Sequence, residues 1–207
     1  MSEVFYFRCL IVCALAGNLT SCRSPDKSCC HRVLADEPQV VTTGKFILDS
    51  DSVWQDDGGN DFRLSQLRGH PVVISMFFAS CEGVCVITKN DLKAIETSLP
   101  PAVRARTLFV LVTLAPERDT PAVLKQYRVE QGLSGKRWRL LRGPVGATAA
   151  LAVQLGVGYG LDSNGRFKHS SEITVLDATG RVLLQQDGIH ADLEKTVRLL
   201  AASAGND

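Results

Sequence analysis

Two continuous apolar runs mark the middle of the chain. They are PVVISMFF, from Pro71 to Phe78, and TLFVLVTL, from Thr107 to Leu114. Runs this rich in β-branched and aromatic residues are typical of strands that are buried on both faces of a sheet. Between them, apolar residues recur at intervals of one or two helical turns as far as Pro100, which predicts a crossover helix.

A second helix is predicted directly after the second run. Asp119, Thr120 and Pro121 supply an N-cap and a proline at the first helical position, and the helix should run to Gln131 and end at Gly132. The order strand, helix, strand, helix implies a parallel pair of strands with a right-handed crossover.

Shorter elements are predicted in the C-terminal third. The turn from Asp177 to Gly180 indicates a hairpin, and an amphipathic helix closes the domain. The predicted spans are a strand at Trp138–Leu141, a helix at Ala147–Leu155, hairpin strands at Glu172–Leu176 and Arg181–Gln186, and a final helix at Ala191–Ala202.

Two apolar segments near the start of the domain suggest an N-terminal hairpin. They are Phe46 to Leu48 and Phe62 to Leu67, on either side of a turn cluster of Asp, Gly and Asn. Together the elements predict an α/β, thioredoxin-like fold with this N-terminal hairpin extension and an insertion before the C-terminal β-hairpin. The domain should cover residues 41–207.

The composition is that of a globular protein, with 207 residues of which 45% are hydrophobic and 22% charged. The net charge of +1 comes without basic clusters, so nucleic acid is not an expected partner. We expect a monomer with local recognition sites.

The first 21 residues are typical of an export signal. The apolar stretch from Cys9 to Gly17 follows Arg8 and is nine residues long, too short to span a bilayer. The residues Leu19-Thr20-Ser21-Cys22 resemble the bacterial lipobox, which implies lipid attachment to Cys22 and a membrane-anchored domain in the bacterial cell envelope. A simple secretory signal cleaved nearby is the alternative, and both place the domain outside the cytoplasm.

A flexible tether is predicted over residues 22–40, because this stretch is polar and carries two prolines. It contains Cys29, Cys30 and His31, which are soft-metal ligand types. A mobile segment holds no fixed ligand geometry, so oxidation or incidental pairing is the preferred interpretation of these three residues.

Cys81 and Cys85 lie between the first apolar run and the crossover helix, in the sequence FFASCEGVC. Amides at a helix start favour thiolate over thiol. Residues four apart on a helix have Cβ atoms about 5–6 Å apart, whereas a relaxed disulfide needs about 3.8 Å. Two thiolates on one ion tolerate the wider spacing and favour Cu(I), while zinc, a strained disulfide and simple packing stay open.

Three motifs in order carry a resemblance to a known family. FFASCEGVC, VTLAPERDTPAVLKQY and FKHSSEITVLDATGRV resemble the Sco/SenC family of copper-binding cytochrome oxidase assembly proteins. The resemblance implies a thioredoxin-like fold and a site for copper, Cu(I) or Cu(II), made by Cys81, Cys85 and His169. The position of His169 beside a polar loop and at the start of a strand agrees with that role. His70 and His190 are interpreted as turn or cap residues.

Three positions depart from the family pattern. Prolines common after each motif cysteine are replaced by Glu82 and Val86, and a usual acidic residue is replaced by Ala115. These changes spare the three implied ligands. They bear on thiol exchange and on partner contacts, and Asp119 in the second motif is interpreted as a helix N-cap.

The resemblance implies a copper metallochaperone that delivers copper to a terminal (cytochrome c) oxidase copper-centre subunit or another copper protein. The alternative from another class is an enzyme, a thiol-disulfide oxidoreductase that reduces a recipient's cysteines through Cys81 and Cys85. A C-x-x-x-C spacing with a histidine partner favours metal over the C-x-x-C of thioredoxin-type enzymes. A peroxiredoxin-type peroxidase is disfavoured because Phe78 stands where its threonine is expected.

Overall fold

The computed structural model describes residues 47–164, 166–189 and 191–203. Within them a mixed sheet is covered by helices on both faces. The strands are β1 (Trp54–Asp56), β2 (Asp61–Phe62), β3 (Val72–Phe77), β4 (Leu108–Thr113), β5 (Trp138–Arg142), β6 (Tyr159–Leu161), β7 (Phe167–His169), β8 (Glu172–Leu176) and β9 (Val182–Asp187). The helices are α1 (Val84–Ser98), α2 (Pro101–Arg106), α3 (Pro121–Glu130), α4 (Val145–Gln154) and α5 (Leu193–Ser203).

The main sheet has the strand order β2-β1-β5-β4-β3-β8-β9, and β6 pairs with β7 in a separate small sheet. Strands β3, β4 and β5 are parallel, and the remaining pairs are antiparallel. The predicted parallel crossover and C-terminal hairpin are therefore confirmed. Because β3 is an inner strand that pairs with β4 and β8, the chain that leaves its C-terminal end enters a position flanked by two neighbouring strands.

Strand β3 is buried along its whole length, and its side chains pack into two hydrophobic cores. Val72, Ile74 and Met76 pack into one core, and Val73 and Phe77 pack into the other. Helices α1, α3 and α5 cover the second face, and α4 with the N-terminal segment covers the first. Alternating side chains of a strand point to opposite faces, so burial on both sides explains the continuous apolar run.

The N-terminal hairpin is present, but its strands are not the predicted ones. Ile47–Asp49 and Leu64–Leu67 form short 3₁₀ turns, while the paired strands are β1 and β2. Leu64 and Leu67 are both buried and three residues apart, which matches the period of a 3₁₀ turn rather than that of a strand. Trp54 anchors the hairpin in the core, where a Cβ on Gly143 would lie 2.4 Å from its ring.

The insertion before the C-terminal hairpin comprises α4 and the small β6–β7 sheet, between β5 and β8. The sequence predicted α4, but it did not predict β6, whose three residues are all exposed, or the short helix α2. In the described part of the chain, no helix is long and apolar enough to cross a membrane.

Candidate metal centre

The two cysteines occupy different local structures. Cys81 lies in the turn after β3, where its amide donates to the carbonyl of Phe78 (3.1 Å). Helix α1 begins at Val84 with Gly83 as its N-cap, so Cys85 lies in the first helical turn. The expectation that both cysteines share one helical face is therefore wrong, because Cys81 precedes the helix.

His169 is the last residue of β7, opposite Tyr159. Its Nδ1 lies 2.6 Å from the carbonyl oxygen of Ser170, and its Nε2 lies 2.7 Å from Sγ of Cys85. A carbonyl only accepts, so Nδ1 carries the proton and the lone pair of Nε2 faces the sulfur. The donor atoms of Cys81, Cys85 and His169 all lie within 4.8 Å of one another.

This donor set fits a soft metal ion. A metal bound at about 2.3 Å from sulfur and about 2.0 Å from imidazole nitrogen holds its ligands about 3.5–4.5 Å apart. The three atoms lie within 4.8 Å of one another, and the 2.7 Å contact between Cys85 and His169 would have to open by about 1 Å to reach that range. Two thiolates with one imidazole suit Cu(I) or Zn(II) rather than a hard cation.

Burial sets the protonation of two of the three ligands. Burial of Cys85, together with its hydrogen bond to Cys81, raises the pKa of its thiol well above the ordinary value. Burial also lowers the pKa of His169, against an opposing effect of the bond to Ser170. The imidazole is thus neutral and ready to bind, whereas Cys85 must lose a proton to a metal. The expected thiolate preference at the helix start is wrong for Cys85, because burial outweighs it.

One side of the site is open. A cleft of about 480 Å³ lies beside Cys81 and is lined by Glu82, Arg166, Lys168 and His169. Aromatic residues form its floor, with the Phe78 ring 5.5 Å from the imidazole. Cys85 is only 3% exposed, whereas Cys81 is partly exposed, so an incoming group meets Cys81 first.

An aspartate in the β6–β7 turn supports the strand that carries His169. Oδ1 of Asp162 accepts from the amides of Asn164 and Arg166 (2.9 Å each), and Oδ2 accepts from the side chains of Arg166 and Lys168. The amide of Arg166 is the main cause that lowers the pKa of Asp162. The predicted β8–β9 turn repeats this arrangement with Asp177, and the shared D-x-x-G-R pattern is the sequence signal that could have indicated the β6–β7 turn as well.

Asp119 is not the N-cap that the sequence predicts. Thr120 caps α3, and Asp119 lies buried with Oδ2 accepting from the amide of Ala79 (2.9 Å) and from the hydroxyl of Thr113. Since Pro121 takes the first helical position, the cap falls on the residue directly before it. Asp119 instead ties the turn that carries Cys81 to the end of β4.

The other singled-out residues lie apart from these three ligands or outside the described residues. Ala115 follows β4, and its amide donates to Thr113. Glu82 and Val86 are exposed beside the site. His70 contacts the carbonyl of Arg106, consistent with a turn role. Cys22, Cys29, Cys30, His31 and His190 lie outside the described residues, so the signal, tether and lipidation stay predictions.

Comparison with known proteins gives the family. Residues 42–202 match the model of the SCO1/SenC family. The chain belongs to the SCO1/SenC family. This SCO1/SenC protein is 29% identical over 170 residues to the SCO2-like protein of Rickettsia felis, which covers 80% of this chain and 78% of the relative. It is 27% identical over 120 residues to a Stutzerimonas stutzeri protein named for copper binding, 58% of this chain and 56% of that one.

Solved structures of the same family confirm the thioredoxin-like fold. A SCO1/SenC family lipoprotein from Bacillus anthracis superposes with a TM-score of 0.65 at 20% identity, over 73% of this chain and 92% of that one. Arabidopsis thaliana ScoI with copper bound gives a TM-score of 0.62 at 16% identity, over 75% of this chain and 97% of that one. Yeast Sco1 with copper bound gives a TM-score of 0.62 at 20% identity, over 75% of this chain and 87% of that one.

Proposed function

We propose that this SCO1/SenC protein is a copper metallochaperone that binds copper through Cys81, Cys85 and His169 and delivers it to the copper centre of a terminal oxidase. The observation that carries the proposal is the convergence of the three donor atoms within 4.8 Å, with the free Nε2 lone pair facing a sulfur. The cysteines and the histidine are more than eighty residues apart in sequence.

Copper is the cargo that this donor set suits best. Soft thiolates favour Cu(I), and the neutral imidazole serves Cu(I) and Cu(II) alike. A relative named for copper binding and family members with copper bound support this choice over zinc.

The open side of the site supports transfer rather than permanent storage. A ligand from the recipient can reach the metal beside the partly exposed Cys81 while the buried Cys85 and the half-buried His169 still hold it. Copper can then pass by exchange of one ligand at a time, and the ion is never released into water.

The cell envelope is the proposed location. Cys22 would carry the lipid anchor, residues 22–40 would form the tether, and the monomeric domain would face the extracytoplasmic side. The B. anthracis neighbour is a family lipoprotein, which supports an anchor of this kind. Two or more acyl chains give a stable hold on a bilayer.

Copper transfer tests the proposed delivery. The full chain loaded with one Cu(I) should give up its copper to the apo copper-centre subunit of a terminal oxidase, and the copper bound to that subunit, measured after the two proteins are separated, should rise with time after mixing. The same chain with its thiols alkylated before loading is the control and should transfer nothing. Equal rates from free copper and from the loaded chain would contradict a chaperone role.

A thiol-disulfide oxidoreductase is the second candidate, favoured by one observation. The sulfur atoms of Cys81 and Cys85 lie within 4.8 Å of each other, and Cys81 is partly exposed as an attacking thiol would be. The raised pKa of Cys85 disfavours its thiolate and so weakens this candidate. Turnover of a recipient's disulfide at a rate independent of copper would favour the oxidoreductase.

Asp119→Ala should lower the free energy of unfolding by about 1–3 kcal/mol, because it leaves the buried amide of Ala79 without an acceptor. Copper affinity should fall by about tenfold to a hundredfold, since the turn that orients Cys81 loosens. Asp119→Asn keeps an acceptor oxygen and should retain most of the stability and most of the copper affinity. Chemical denaturation and a Cu(I) competition titration measure the two effects.

Asp192→Ala is the matched control for this prediction. Asp192 accepts from the amide of Lys195 at the start of α5, and its hydrogen bonds in the described part of the chain join Gln186, Lys195 and Thr196 rather than the metal ligands. Its loss should cost about 1 kcal/mol of stability, as for a helix cap, with copper affinity unchanged. Equal losses of copper affinity in both variants would show that Asp119 acts only through global stability.

A further inference from the structure

A basic cleft lies at the end of the sheet opposite to the metal centre. Its volume is about 470 Å³, and it is formed between the end of α3 and the start of β5. The register of β3, β4 and β5 places Trp138 beside the first residues of the parallel strands, whereas the chain leaves β3 toward Cys81 from the other end. Cationic residues in its lining are Arg128, Lys136 and Arg139.

Arg128 lines this cleft, and its charge is neutralised by Asp57. Its guanidinium binds both carboxylate oxygens of Asp57 (2.5 and 2.7 Å) and also donates to the carbonyls of Leu133 and Trp138 (3.1 Å each). All of these bonds are internal to the domain. Arg128 and Asp57 therefore fix the shape of the cleft, and its positive charge comes from Lys136 and Arg139.

Lys136 and Arg139 have no carboxylate within salt-bridge distance among residues 47–164, 166–189 and 191–203. Lys136 is exposed, and the guanidinium of Arg139 lies 5.9 Å from the centroid of the Phe62 ring. The Nε–H of Arg139 is fully buried and has no hydrogen-bond acceptor in that part of the chain. A buried donor of a charged group is costly to leave unpaired, so an acceptor from beyond the described residues is expected, and a ligand bound in the cleft would supply one.

Two glycines turn the loop that borders the cleft, and the loop adds a hydroxyl to its lining. Gly132 and Gly135 turn it with positive φ angles of 61° and 83°, a region that other residues rarely adopt. Ser134 adds a hydroxyl to the lining, and none of the described residues that line the cleft is acidic. A compact acceptor with several oxygens matches these donors.

We propose that this cleft binds a phosphate-type oxyanion, with Arg139 and Lys136 as its charged ligands. The planar guanidinium matches the oxygen pair of a phosphate, and the flexible ammonium of Lys136 closes over it as a point charge. The proposal is independent of copper binding, because the cleft and the metal centre lie at opposite ends of β3 to β5.

The position of the N-terminal segment bears on where the oxyanion comes from. Leu48 packs beneath Gly180, in the β8–β9 turn, and the register of β8 with β3 places this turn at the same end of the sheet as the cleft. The described part of the chain therefore begins at the end of the sheet that carries the cleft. A phospholipid headgroup and free phosphate share the required chemistry, and the two are separable by experiment.

The test uses the full chain with Cys22→Ser in every arm, so that lipidation does not contribute. Titration with inorganic phosphate, followed by calorimetry at low salt, should show binding that Lys136→Gln/Arg139→Gln weakens by about tenfold or more. The charge-matched control is Arg104→Gln/Lys195→Gln, outside the cleft, and it should change affinity by less than about twofold. Lys136→Gln alone, at an exposed position, should weaken binding without affecting the thermal melt.

A second arm uses phosphatidylglycerol vesicles with phosphatidylcholine vesicles as reference. Binding to the anionic vesicles that is lost in the cleft double variant and kept in the control variant assigns the oxyanion to a lipid headgroup. Phosphate binding without cleft-dependent vesicle binding assigns it to a soluble phosphate. Equal phosphate affinities in the wild type and the cleft variant, or no binding by the wild type, would overturn the proposal.

Discussion

Cys85→Ser is expected to abolish tight Cu(I) binding. Structural zinc sites in peptides supply about 10–16 kcal/mol of binding free energy. On that scale, removal of one of three ligands should lose about a third of the binding free energy, a fall in affinity on the order of a thousandfold. A serine hydroxyl can still donate to Nε2 of His169, as the thiol does at 2.7 Å, so the fold should remain intact. A Cu(I) competition titration measures the loss, and a thermal melt confirms folding.

The matched control is Cys22→Ser, the same substitution in the predicted anchor segment. It removes one thiol from the chain and should leave copper affinity unchanged. Full Cu(I) affinity in the Cys85→Ser chain would contradict the proposed site. Loss of Cu(I) affinity in both the Cys85→Ser and the Cys22→Ser chains would place the metal elsewhere.

His169→Ala is expected to weaken copper binding by about a hundredfold or more, because the two thiolates then lack their nitrogen partner. The β6–β7 turn should persist, since the bonds of Asp162 do not involve the imidazole. Disulfide formation between Cys81 and Cys85 should stay close to wild type. The copper titration and the reduction potential of the cysteine pair measure these two outcomes separately.

His70→Ala is the control for this variant. His70 is exposed and contacts the carbonyl of Arg106 at the other end of the sheet from the metal centre, so its removal should change neither quantity. The reverse pattern for His169→Ala, with copper affinity kept and thiol exchange lost, would favour the oxidoreductase.

The elements predicted best from sequence are those that the core buries most completely. Strands β3 and β4 agree with their predicted spans to within one residue at each end, because a run buried on both faces has few alternative structures. The hairpin strands β8 and β9 follow from a turn signal of four residues. Short or exposed elements were missed, since the three exposed residues of β6 carry no hydrophobic pattern.

The candidate site was only partly predictable. The sequence places Cys81 and Cys85 at a strand-to-helix turn, and the family resemblance alone singles out His169. The buried role of Asp119 and the support from Asp162 have no periodic signal. Both act through hydrogen bonds to backbone or side-chain groups, which depend on how the loops fold.

Local patterns in the sequence determined the central parallel strands, their crossover helix and the position of the two thiols, because burial and capping act over a few neighbouring residues. Only the tertiary structure decided that His169 reaches Cys85, that burial raises the pKa of that thiol, and that Arg139 lines a cleft whose described lining residues include no acid. These properties arise from strand pairing and packing between segments far apart in the chain, which no local pattern encodes.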